Sequence, residues 1–402
     1  MKLKLLIAAF LLSTGLNAQN IWTQKNSYPG VARHAAVSFV IGSMAYAGTG
    51  TDDVIFFKDF WAYNEASGLW TAKADFPGAA RREAVAFSIG TNGFVGMGCC
   101  GAKSDFWKYN SLTDTWSSIA AYPGGPTMTG IAFSIGLKGY VGLGDDGGAS
   151  FSKKIFEYDP AANTWTQKAD FPGPGRTDAL GFSMNGKGYV AIGDDGTLPM
   201  LKDLWEYDPA SDTWTQKTDF RGGPRTTAAG FPIASTGKLY IGTGDDDVNQ
   251  HDDFWEWNSA NDTWTQVMNF GGGIRTDETG FAIGSKGYVA LGQIAAPPEF
   301  NDLWEYSQLT GTAEINSSNS ISIYPNPFSS KTTLQTDVPL HNVTLTITNY
   351  LGQMVKEIKN VSGPASTLSR EGLKSGVYYL TLSPSPSGEG LTKTAKLVVA
   401  DE

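Results

Sequence analysis

A tryptophan placed two residues after a turn residue recurs at near-constant intervals along this 402-residue chain. The intervals run from 46 to 50 residues, and the recurring positions are Trp70, Trp116, Trp165, Trp214 and Trp264. Each copy also contains short runs in which aromatic and β-branched residues alternate with others, a pattern typical of strands. The chain is therefore constrained to repeat one small unit of antiparallel strands several times.

The sixth copy lacks its tryptophan and reads Gly311-Thr312-Ala313, while a matching strand, Ile21–Lys25, stands near the N-terminus with no copy before it. Both irregularities are explained if the units form a ring that the N-terminal strand closes. We predict an all-β, six-bladed β-propeller, because closure removes sheet edges that would otherwise pair with other chains. The predicted blades cover residues 33–70, 81–116, 127–165, 176–214, 225–264 and 275–306 with 21–25.

The position two residues before each tryptophan holds Gly, Asp or Asn in every copy. These residue types accept a positive φ more readily than others do, so the column predicts a hairpin turn between the third and fourth strands and has no functional weight. The column consists of Gly68, Asp114, Asn163, Asp212, Asp262 and Gly311.

Most copies have a basic residue before the first strand, glycine at the end of the second strand, and then an aromatic pair and a Trp at near-fixed separation, as between Arg176 and Trp214. In these features residues 21–313 resemble the kelch repeats, and the resemblance implies a kelch β-propeller. The chain departs from the family by ending the second strand with Gly-x-Gly or one Gly instead of adjacent glycines. The third copy diverges most, with Thr127 in the basic position and Phe156 where other copies have Trp.

The N-terminal residues 1–18 have the layout of a secretory signal peptide. Lys2 and Lys4 precede an apolar run that ends near Leu12, and the small-residue exit Asn17-Ala18 follows. The mature chain is then expected to begin near Gln19, shortly before the strand that closes the ring.

A Ser/Asn-rich linker, residues 314–320, separates the repeats from a C-terminal segment of different composition. This segment contains the motifs Tyr324-Pro325-Asn326-Pro327, Gly376-Val377-Tyr378-Tyr379 and Lys396-Leu397-Val398-Val399. In these motifs residues 321–402 resemble the C-terminal sorting domain of the type IX secretion system. The resemblance implies a small immunoglobulin-like β-sandwich that contacts the secretion machinery. It also implies that the propeller, residues 19–313, reaches the outer-membrane cell surface of a Gram-negative bacterium, where it is released or anchored. An accessory sandwich without a transport role is the alternative.

The chain carries 30 Lys and Arg residues against 40 Asp and Glu residues, a net charge of −10. An acidic surface repels phosphate backbones, which disfavours nucleic acid as a partner. After the signal peptide no apolar run is long enough to cross a bilayer, so we expect no transmembrane segment in the mature protein.

Candidate ligand-binding residues stand in two columns at the start of the first strands. A spacing of two residues places both columns on one side of an extended strand, and we expect this side to face the central channel. Guanidinium and carboxylate groups there would bind an anionic or hydroxylated ligand. Alternatively, Arg–Asp pairs across neighbouring blades only hold the inner strands in place. The predicted set at the channel mouth is Arg33, Arg81, Arg82, Glu83, Arg176, Asp178, Arg225, Arg275 and Asp277.

Paired aspartates follow the glycines that end several second strands. Such oxygen-rich loops are candidates for calcium, the one cofactor that the sequence suggests, although the spaced ligands of a dedicated calcium loop are missing and Asp is also a common turn residue. The candidates are Asp145, Asp146, Asp194, Asp195, Asp245 and Asp246.

The second copy has Cys99-Cys100 at this position, and these are the two cysteines of the chain. Adjacent Cα atoms lie about 3.8 Å apart, less than the ~4.4–6.8 Å of ordinary disulfides, so a bridge between them would be strained. A vicinal disulfide and two free thiols both remain open.

Catalytic residue types are sparse. The histidines are His34, His251 and His341, too scattered for the copper centre of galactose oxidase, a secreted kelch-bearing enzyme. A sugar mutarotase of the sialic acid epimerase kind needs only a positioned acid and base, which Arg82 and Glu83 with one of the first two histidines would supply. Because loops on a rigid scaffold suit recognition, we predict a binding module for an extracellular glycan or protein rather than an enzyme. Sugar mutarotation and a structural role in the envelope or matrix are the alternatives.

Overall fold

The structure is a computed structural model that describes residues 21–294, 298–308, 321–349, 353–383 and 393–400. The chain divides into two compact units at Leu309 and Thr310. The predicted signal peptide, the predicted linker and the sixth turn residue, Gly311, lie outside the described residues. The predicted domain boundaries therefore stay predictions.

The described part of the first unit contains six four-stranded antiparallel sheets, which we number in chain order. The strand that pairs last in sheet 6 is the N-terminal one, β1 (Ile21–Lys25). Sheet 1 contains β2 (Val37–Ile41), β3 (Met44–Gly48), β4 (Phe60–Asn64) and β5 (Leu69–Lys73). Sheet 2 contains β6 (Val85–Ile89), β7 (Asn92–Gly96), β8 (Phe106–Asn110) and β9 (Thr115–Ile119). Sheet 3 contains β10 (Ile131–Ile135), β11 (Lys138–Gly142), β12 (Ile155–Asp159) and β13 (Thr164–Gln167).

The last three sheets follow the same order of strands. Sheet 4 contains β14 (Leu180–Met184), β15 (Lys187–Gly193), β16 (Leu201–Asp208) and β17 (Thr213–Lys217). Sheet 5 contains β18 (Ala229–Ile233), a short 3₁₀ turn (Ala234–Thr236), β19 (Lys238–Gly242), β20 (Phe254–Asn258) and β21 (Thr263–Gln266). Sheet 6 contains β22 (Thr279–Ile283), β23 (Lys286–Ala290), β24 (Leu303–Ser307) and β1.

The sheets form a closed, propeller-like ring. Each first strand packs beside the first strand of the next sheet, and β22 of sheet 6 packs beside β2 of sheet 1. β1 pairs antiparallel with β24, with Trp22 opposite Tyr306, which is the pairing that the sequence predicts for the N-terminal strand. Six backbone hydrogen bonds of 2.9–3.0 Å link the described sheets. In each, the N–H of a glycine at or just after the end of a second strand donates to the carbonyl of the residue in the basic position of the next sheet. They are Gly50–Arg81, Gly98–Thr127, Gly144–Arg176, Gly193–Arg225, Gly244–Arg275 and Gly292–Arg33.

The repeated turn and tryptophan columns join neighbouring sheets. The turn residues of sheets 1 to 5 have φ between 52° and 68°, as their residue types predict. In sheet 5, the Asp262 carboxylate accepts hydrogen bonds from the Trp257 indole and from the backbone N–H of Thr218 in the preceding connection. The Trp264 indole donates to the Thr218 carbonyl at 2.9 Å. The repeated tryptophans therefore pack between sheets.

The core between sheets is built from aromatic rings that fit against glycines. Phe231 of sheet 5 stacks on Tyr240 at 5.1 Å between ring centroids, and the same ring lies where a side chain on Gly287 of sheet 6 would be. Because only a residue without Cβ leaves room for the ring, this glycine is required by the close approach of the two sheets.

The described part of the second unit contains five strands in one connected antiparallel sheet: β25 (Ile321–Tyr324), β26 (Lys331–Asn349), β27 (Met354–Ser369), β28 (Gly376–Ser383) and β29 (Lys393–Val399). The long strand β26 pairs with β25, β27 and β28, and β28 pairs with β29. Leu334, Leu345 and Leu380 lie in its buried core. β28 and β29 contain the motifs Gly376–Tyr379 and Lys396–Val399, while an immunoglobulin-like sandwich stays a prediction.

Within the described ranges, helices of the length and apolarity needed to cross a membrane do not occur.

Candidate functional site

The arginines of the basic column do not line the channel, which corrects the expectation from their spacing. All five side chains are buried, and each guanidinium forms a two-pronged ion pair with an Asp of the same sheet. In sheet 4, Arg176 donates to the two oxygens of Asp203 at 2.5 and 2.9 Å and to the Ile192 carbonyl at 2.9 Å. The other pairs are Arg33–Asp59, Arg81–Asp105, Arg225–Asp253 and Arg275–Asp302.

The difference arises from one left-handed residue in each sheet. The position two residues after the basic column has φ between 49° and 57° in all six sheets. Strand alternation holds only for extended backbone, so this residue separates the directions of the two columns. The arginine side chain is buried within the sheet, where it hydrogen-bonds both to the end of the second strand and to the start of the third. Its partner lies within the same sheet and not across neighbouring sheets.

The aspartate partners were not among the residues that we singled out from the sequence. The signal was present, because Asp directly precedes a Phe-Trp or Leu-Trp pair wherever the arginine occurs. Sheet 3 loses all three groups together: Thr127 replaces the arginine, Lys154 the aspartate and Phe156 the tryptophan. In sheet 4 the Trp205 indole donates to the Asp203 carboxylate at 2.6 Å, which explains why the three residues are kept or lost as one unit.

The carboxylates of the second column do meet at the channel mouth. Glu83, Asp178 and Asp277 come from sheets 2, 4 and 6 and line a cup of about 160 Å³. Its other lining residues are Leu180, Glu278 and several alanine, threonine and glycine residues. The cup adjoins a channel of about 390 Å³ whose wall consists largely of Ala, Ser and Gly from the first strands. Three carboxylates therefore alternate with uncharged residues around the opening.

Burial and mutual repulsion raise the pKa values of these carboxyl groups. The pKa of Asp178 rises to about 7, first because of burial and then because of the negative charges of Asp277 and Glu83. Burial also raises the pKa of Asp277, against hydrogen bonds from Gln293 and Thr276 that lower it. The pKa of Glu83 is raised by burial as well. Its neighbour Arg82 opposes that rise.

Glu278 adds a fourth carboxyl group that the sequence analysis missed. It borders both the cup and the channel, is 9 % exposed, and neither of its oxygens has a hydrogen-bond partner. Burial raises its pKa to about 8, although Arg275 and the Thr243 hydroxyl lie near enough to lower it. The signal was a break in the repeat, because the equivalent residues are all small: Ala36, Ala84, Gly130, Ala179 and Ala228.

Arg82 is the one predicted arginine whose side chain remains accessible, with 32 % of it exposed. Its Nε atom lies 3.0 Å from a Glu83 oxygen, and its Nη1 atom lies 3.5 Å from the Asp53 carboxylate. The accessible part of the predicted set is therefore Arg82, Glu83, Asp178 and Asp277.

The carboxylates of the paired aspartates in the loops after the second strands accept hydrogen bonds from backbone N–H groups of their own turns. Asp145, for example, accepts a hydrogen bond from Gly147 N–H at 2.8 Å, and Asp194 accepts one from Gly196 N–H at 2.7 Å. Across the described residues these pairs do not gather into a group of three metal ligands. The turn explanation is thus sufficient for Asp145, Asp146, Asp194, Asp195, Asp245 and Asp246.

The two cysteines are free thiols whose Sγ atoms lie 3.3 Å apart, well beyond the ~2.05 Å of a disulfide bond. Burial and the neighbouring Cys99 raise the pKa of the Cys100 thiol, which favours its neutral form. A vicinal disulfide stays a prediction.

A group of a different composition lies beside Arg82. Within the described residues, His34, Asp53 and Glu299 form the one set of three metal-ligand side chains whose donor atoms all lie within 4.8 Å of one another. The first two belong to sheet 1 and the third to the connection before β24.

Residues 322–400 match the family described as the secretion system C-terminal sorting domain. The chain therefore carries the type IX sorting signal and is exported to the cell surface or released. The motifs between Tyr324 and Val399 had indicated this. No curated protein sequence matches the chain.

A solved structure titled "Structure of YjhT" resembles the first unit. The two match with a TM-score of 0.59 at 16 % identity, over 69 % of this chain and 96 % of that chain. At this identity the likeness bears on the fold alone, and it agrees with a propeller-like arrangement of the six sheets.

Proposed function

We propose that the exported chain is a six-bladed, kelch-type propeller that acts as a binding module for an extracellular glycan or protein at its channel mouth. The propeller comprises residues 19–313, and the sorting domain, residues 321–402, delivers it to the outer-membrane surface of a Gram-negative bacterium. The observation that carries this proposal is a set of mouth carboxylates, half-buried at Asp178 and Asp277 and buried at Glu278, that have no ion pair with Lys or Arg among the described residues. Asp178, Asp277 and Glu278 form no ion pair with Lys or Arg anywhere in the described chain.

The opposite end of the channel provides the contrast. There the lysines at the start of the second strands pair with carboxylates, as in Lys138–Asp159 and Lys187–Asp208, each at 2.6 Å. Charges that only support the scaffold are thus neutralised within it. Perturbed carboxyl groups in a cavity, without such neutralisation, are typical of functional sites.

The size of the cup limits the size of the ligand group that can enter it. Its volume of about 160 Å³ leaves room for one inserted group, such as a sugar ring or a side chain. When ionised, these carboxylates only accept hydrogen bonds, which an inserted hydroxyl or ammonium group would donate. When protonated, Asp178 and Glu278 can also donate one hydrogen bond each to a hydroxyl group. The predicted anionic ligand is not favoured, because the buried arginines are already paired.

The surroundings of the cup favour a ligand larger than the inserted group. The loops after the second strands of sheets 1, 4 and 5 expose aliphatic side chains, namely Val54 at 84 %, Leu198 at 69 % and Val248 at 82 %. These loops leave the sheets at the same end as the mouth. An extracellular glycan chain or a protein surface would contact both.

The experiment is a binding screen of the mature chain against immobilised glycans and solubilised surface proteins, with Asp178→Asn and Asp277→Asn as test variants. Asp159→Asn, which removes a paired carboxylate at the opposite end, is the matched control. We expect saturable binding that falls at least tenfold in the two mouth variants and stays within twofold in the control. Binding that all three variants retain would exclude the mouth, and absence of saturable binding would favour a structural role in the envelope or matrix.

A specific observation also supports sugar mutarotation as a second candidate. Carboxyl groups with pKa values of about 7 and 8 at Asp178 and Glu278 are suited to exchange protons near neutral pH. Anomer exchange can be followed by NMR for sugars that bind. Anomer exchange that Asp178→Asn loses even at saturating sugar would establish an enzyme, and equal exchange rates with and without the protein would rule it out.

A further inference from the structure

We propose that His34, Asp53 and Glu299 bind a divalent transition-metal ion of the Zn²⁺ class, at a site separate from the carboxylate cup. One imidazole and two carboxylates are ligands of intermediate hardness, which suit Zn²⁺ or Mn²⁺ better than Ca²⁺ or a soft thiophilic ion. Their donor atoms already lie within 4.8 Å of one another. Three protein ligands leave at least one coordination position for water or a bound molecule.

The distance between the first two ligands fits a shared ion better than a hydrogen bond. His34 Nε2 lies 3.5 Å from Asp53 Oδ1, beyond the ~2.7–3.2 Å of ordinary N–H···O bonds. Two ligands at about 2.0–2.2 Å from a tetrahedral ion lie about 3.3–3.6 Å apart. The imidazole and the carboxylate therefore already have the separation that coordination requires.

The state of His34 independently indicates a missing partner. The residue is 2 % exposed, and its other ring nitrogen, Nδ1, is buried without a hydrogen-bond partner. An imidazole buried in this way loses its hydration without full compensation. The ring nitrogen Nε2 has Asp53 Oδ1 only at 3.5 Å, so a metal bond to Nε2 would satisfy that nitrogen while Nδ1 keeps no partner.

The local backbone holds the ligands in place. Asp53 has φ of 65° in a turn where its N–H donates to the Thr51 hydroxyl at 3.0 Å. His34 and Thr51 exchange backbone hydrogen bonds, and Glu299 forms a backbone bridge to Gln293. The site would thus connect sheet 1 to sheet 6 by side chains as well as by backbone.

The repeat does not require these residues, since the copies of His34 elsewhere are Arg82, Met128, Thr177, Thr226 and Thr276. A competing charge is nonetheless present. The Arg82 guanidinium lies 3.5 Å from Asp53 Oδ1, so a bound ion would have to displace it from this oxygen. Asp53 has 60 % of its side chain exposed, so an ion can enter from solvent.

The test is Zn²⁺ binding by the full mature chain after chelation, measured by calorimetry and by metal content after dialysis, with Mn²⁺ and Ca²⁺ titrated alongside. The variants are His34→Gln and Glu299→Gln, and circular dichroism checks that each is folded. His251→Gln is the matched control, because His251 also contacts a carboxylate, Asp246, at 3.0 Å but lies outside the cluster.

We expect one Zn²⁺ per chain, with affinity reduced at least tenfold in both cluster variants and unchanged in His251→Gln. If His34→Gln does not fold, Glu299→Gln still tests whether the cluster binds Zn²⁺, because Glu299 is less buried and its replacement disturbs the fold less. The proposal is overturned if Zn²⁺ binds no tighter than millimolar, or if Glu299→Gln binds it as tightly as the unaltered chain does.

Discussion

Replacement of Asp203 by Asn should destabilise the first unit strongly, because it leaves the buried guanidinium of Arg176 without its counter-charge. Arg176 is completely buried, and Asp203 accepts two hydrogen bonds from it and a third from Trp205. Breaking a buried ion pair by removal of one partner costs about 3–5 kcal/mol. We expect the lower end, about 3 kcal/mol, because the Asp203 side chain is 15 % exposed and Asn keeps one acceptor oxygen.

The assay is urea unfolding of the full chain, followed by tryptophan fluorescence and circular dichroism, with thermal melts alongside. A loss of about 3 kcal/mol corresponds to a decrease of about 6–12 °C in the melting temperature for a domain of this size. Sheet 3 supplies a natural control, because it contains Thr, Lys and Phe in place of the three linked residues.

The triple variant Arg176→Thr, Asp203→Lys and Trp205→Phe transfers the residues of sheet 3 to sheet 4. Because it removes the buried cation together with its partners, it should cost less than the sum of the three single changes by at least about 1 kcal/mol. A cost below about 1 kcal/mol for Asp203→Asn, or strictly additive effects, would refute the reasoning that the three residues act as one structural unit.

Three further predictions concern the mouth, a turn and the core. Folding raises the pKa of Asp178 from 3.8 to about 7, so the contribution of this carboxyl group to stability is complete below pH 4 and is lost as the pH rises through 7. Asp178→Asn should therefore remove this pH dependence of stability and be more stable than the wild type at pH 8, as measured by urea unfolding at pH 5 and pH 8. Asp262→Ala should cost about 1–3 kcal/mol, because the Trp257 indole loses its acceptor and Ala must adopt φ of 54°, whereas Asp262→Asn, the residue type of the sheet 3 turn, should retain most of the stability. Gly287→Ala should cost about 1–3 kcal/mol in the same urea assay, since its methyl group would overlap the Phe231 ring.

Each of these predictions has an outcome that contradicts it. A pH profile of Asp178→Asn parallel to that of the wild type would show that this carboxyl group titrates normally. Equal losses in Asp262→Ala and Asp262→Asn would mean that the side-chain acceptor contributes nothing. An unchanged urea midpoint for Gly287→Ala would show that the neighbouring sheets move apart freely.

Much of the fold could be predicted because it follows from periodicity and turn chemistry, which are local. The tryptophan period indicated the repeated sheets, and the incomplete sixth copy indicated the strand Ile21–Lys25 as its completion. The turn column before each tryptophan has the positive φ that Gly, Asp and Asn permit. The sorting motifs were likewise read from short segments of the C-terminal part.

The candidate site was predicted only in part, because side-chain direction depends on backbone that is not extended. Strand alternation placed both the arginines and the carboxylates in the channel, whereas a left-handed residue directs Arg176 into its sheet and Asp178 toward the mouth. The sequence did contain a signal that these three residue types contact one another, since the arginine, the aspartate and the tryptophan are absent together from the third copy. Their contact explains that joint absence.

The sequence by itself determined the repeat, the strand that completes the sixth sheet and the route of export, because each can be read from a short motif or from its recurrence, even though β1 and β24 lie far apart in the chain. Tertiary structure alone decided which charges are neutralised and which remain available. Arg176 meets Asp203, which lies 27 positions further along the chain, and His34 meets Glu299 only where the first and last sheets adjoin. Function at the mouth and at the proposed metal site depends on such distant contacts, and the burial that gives them their chemistry exists only after the ring has closed.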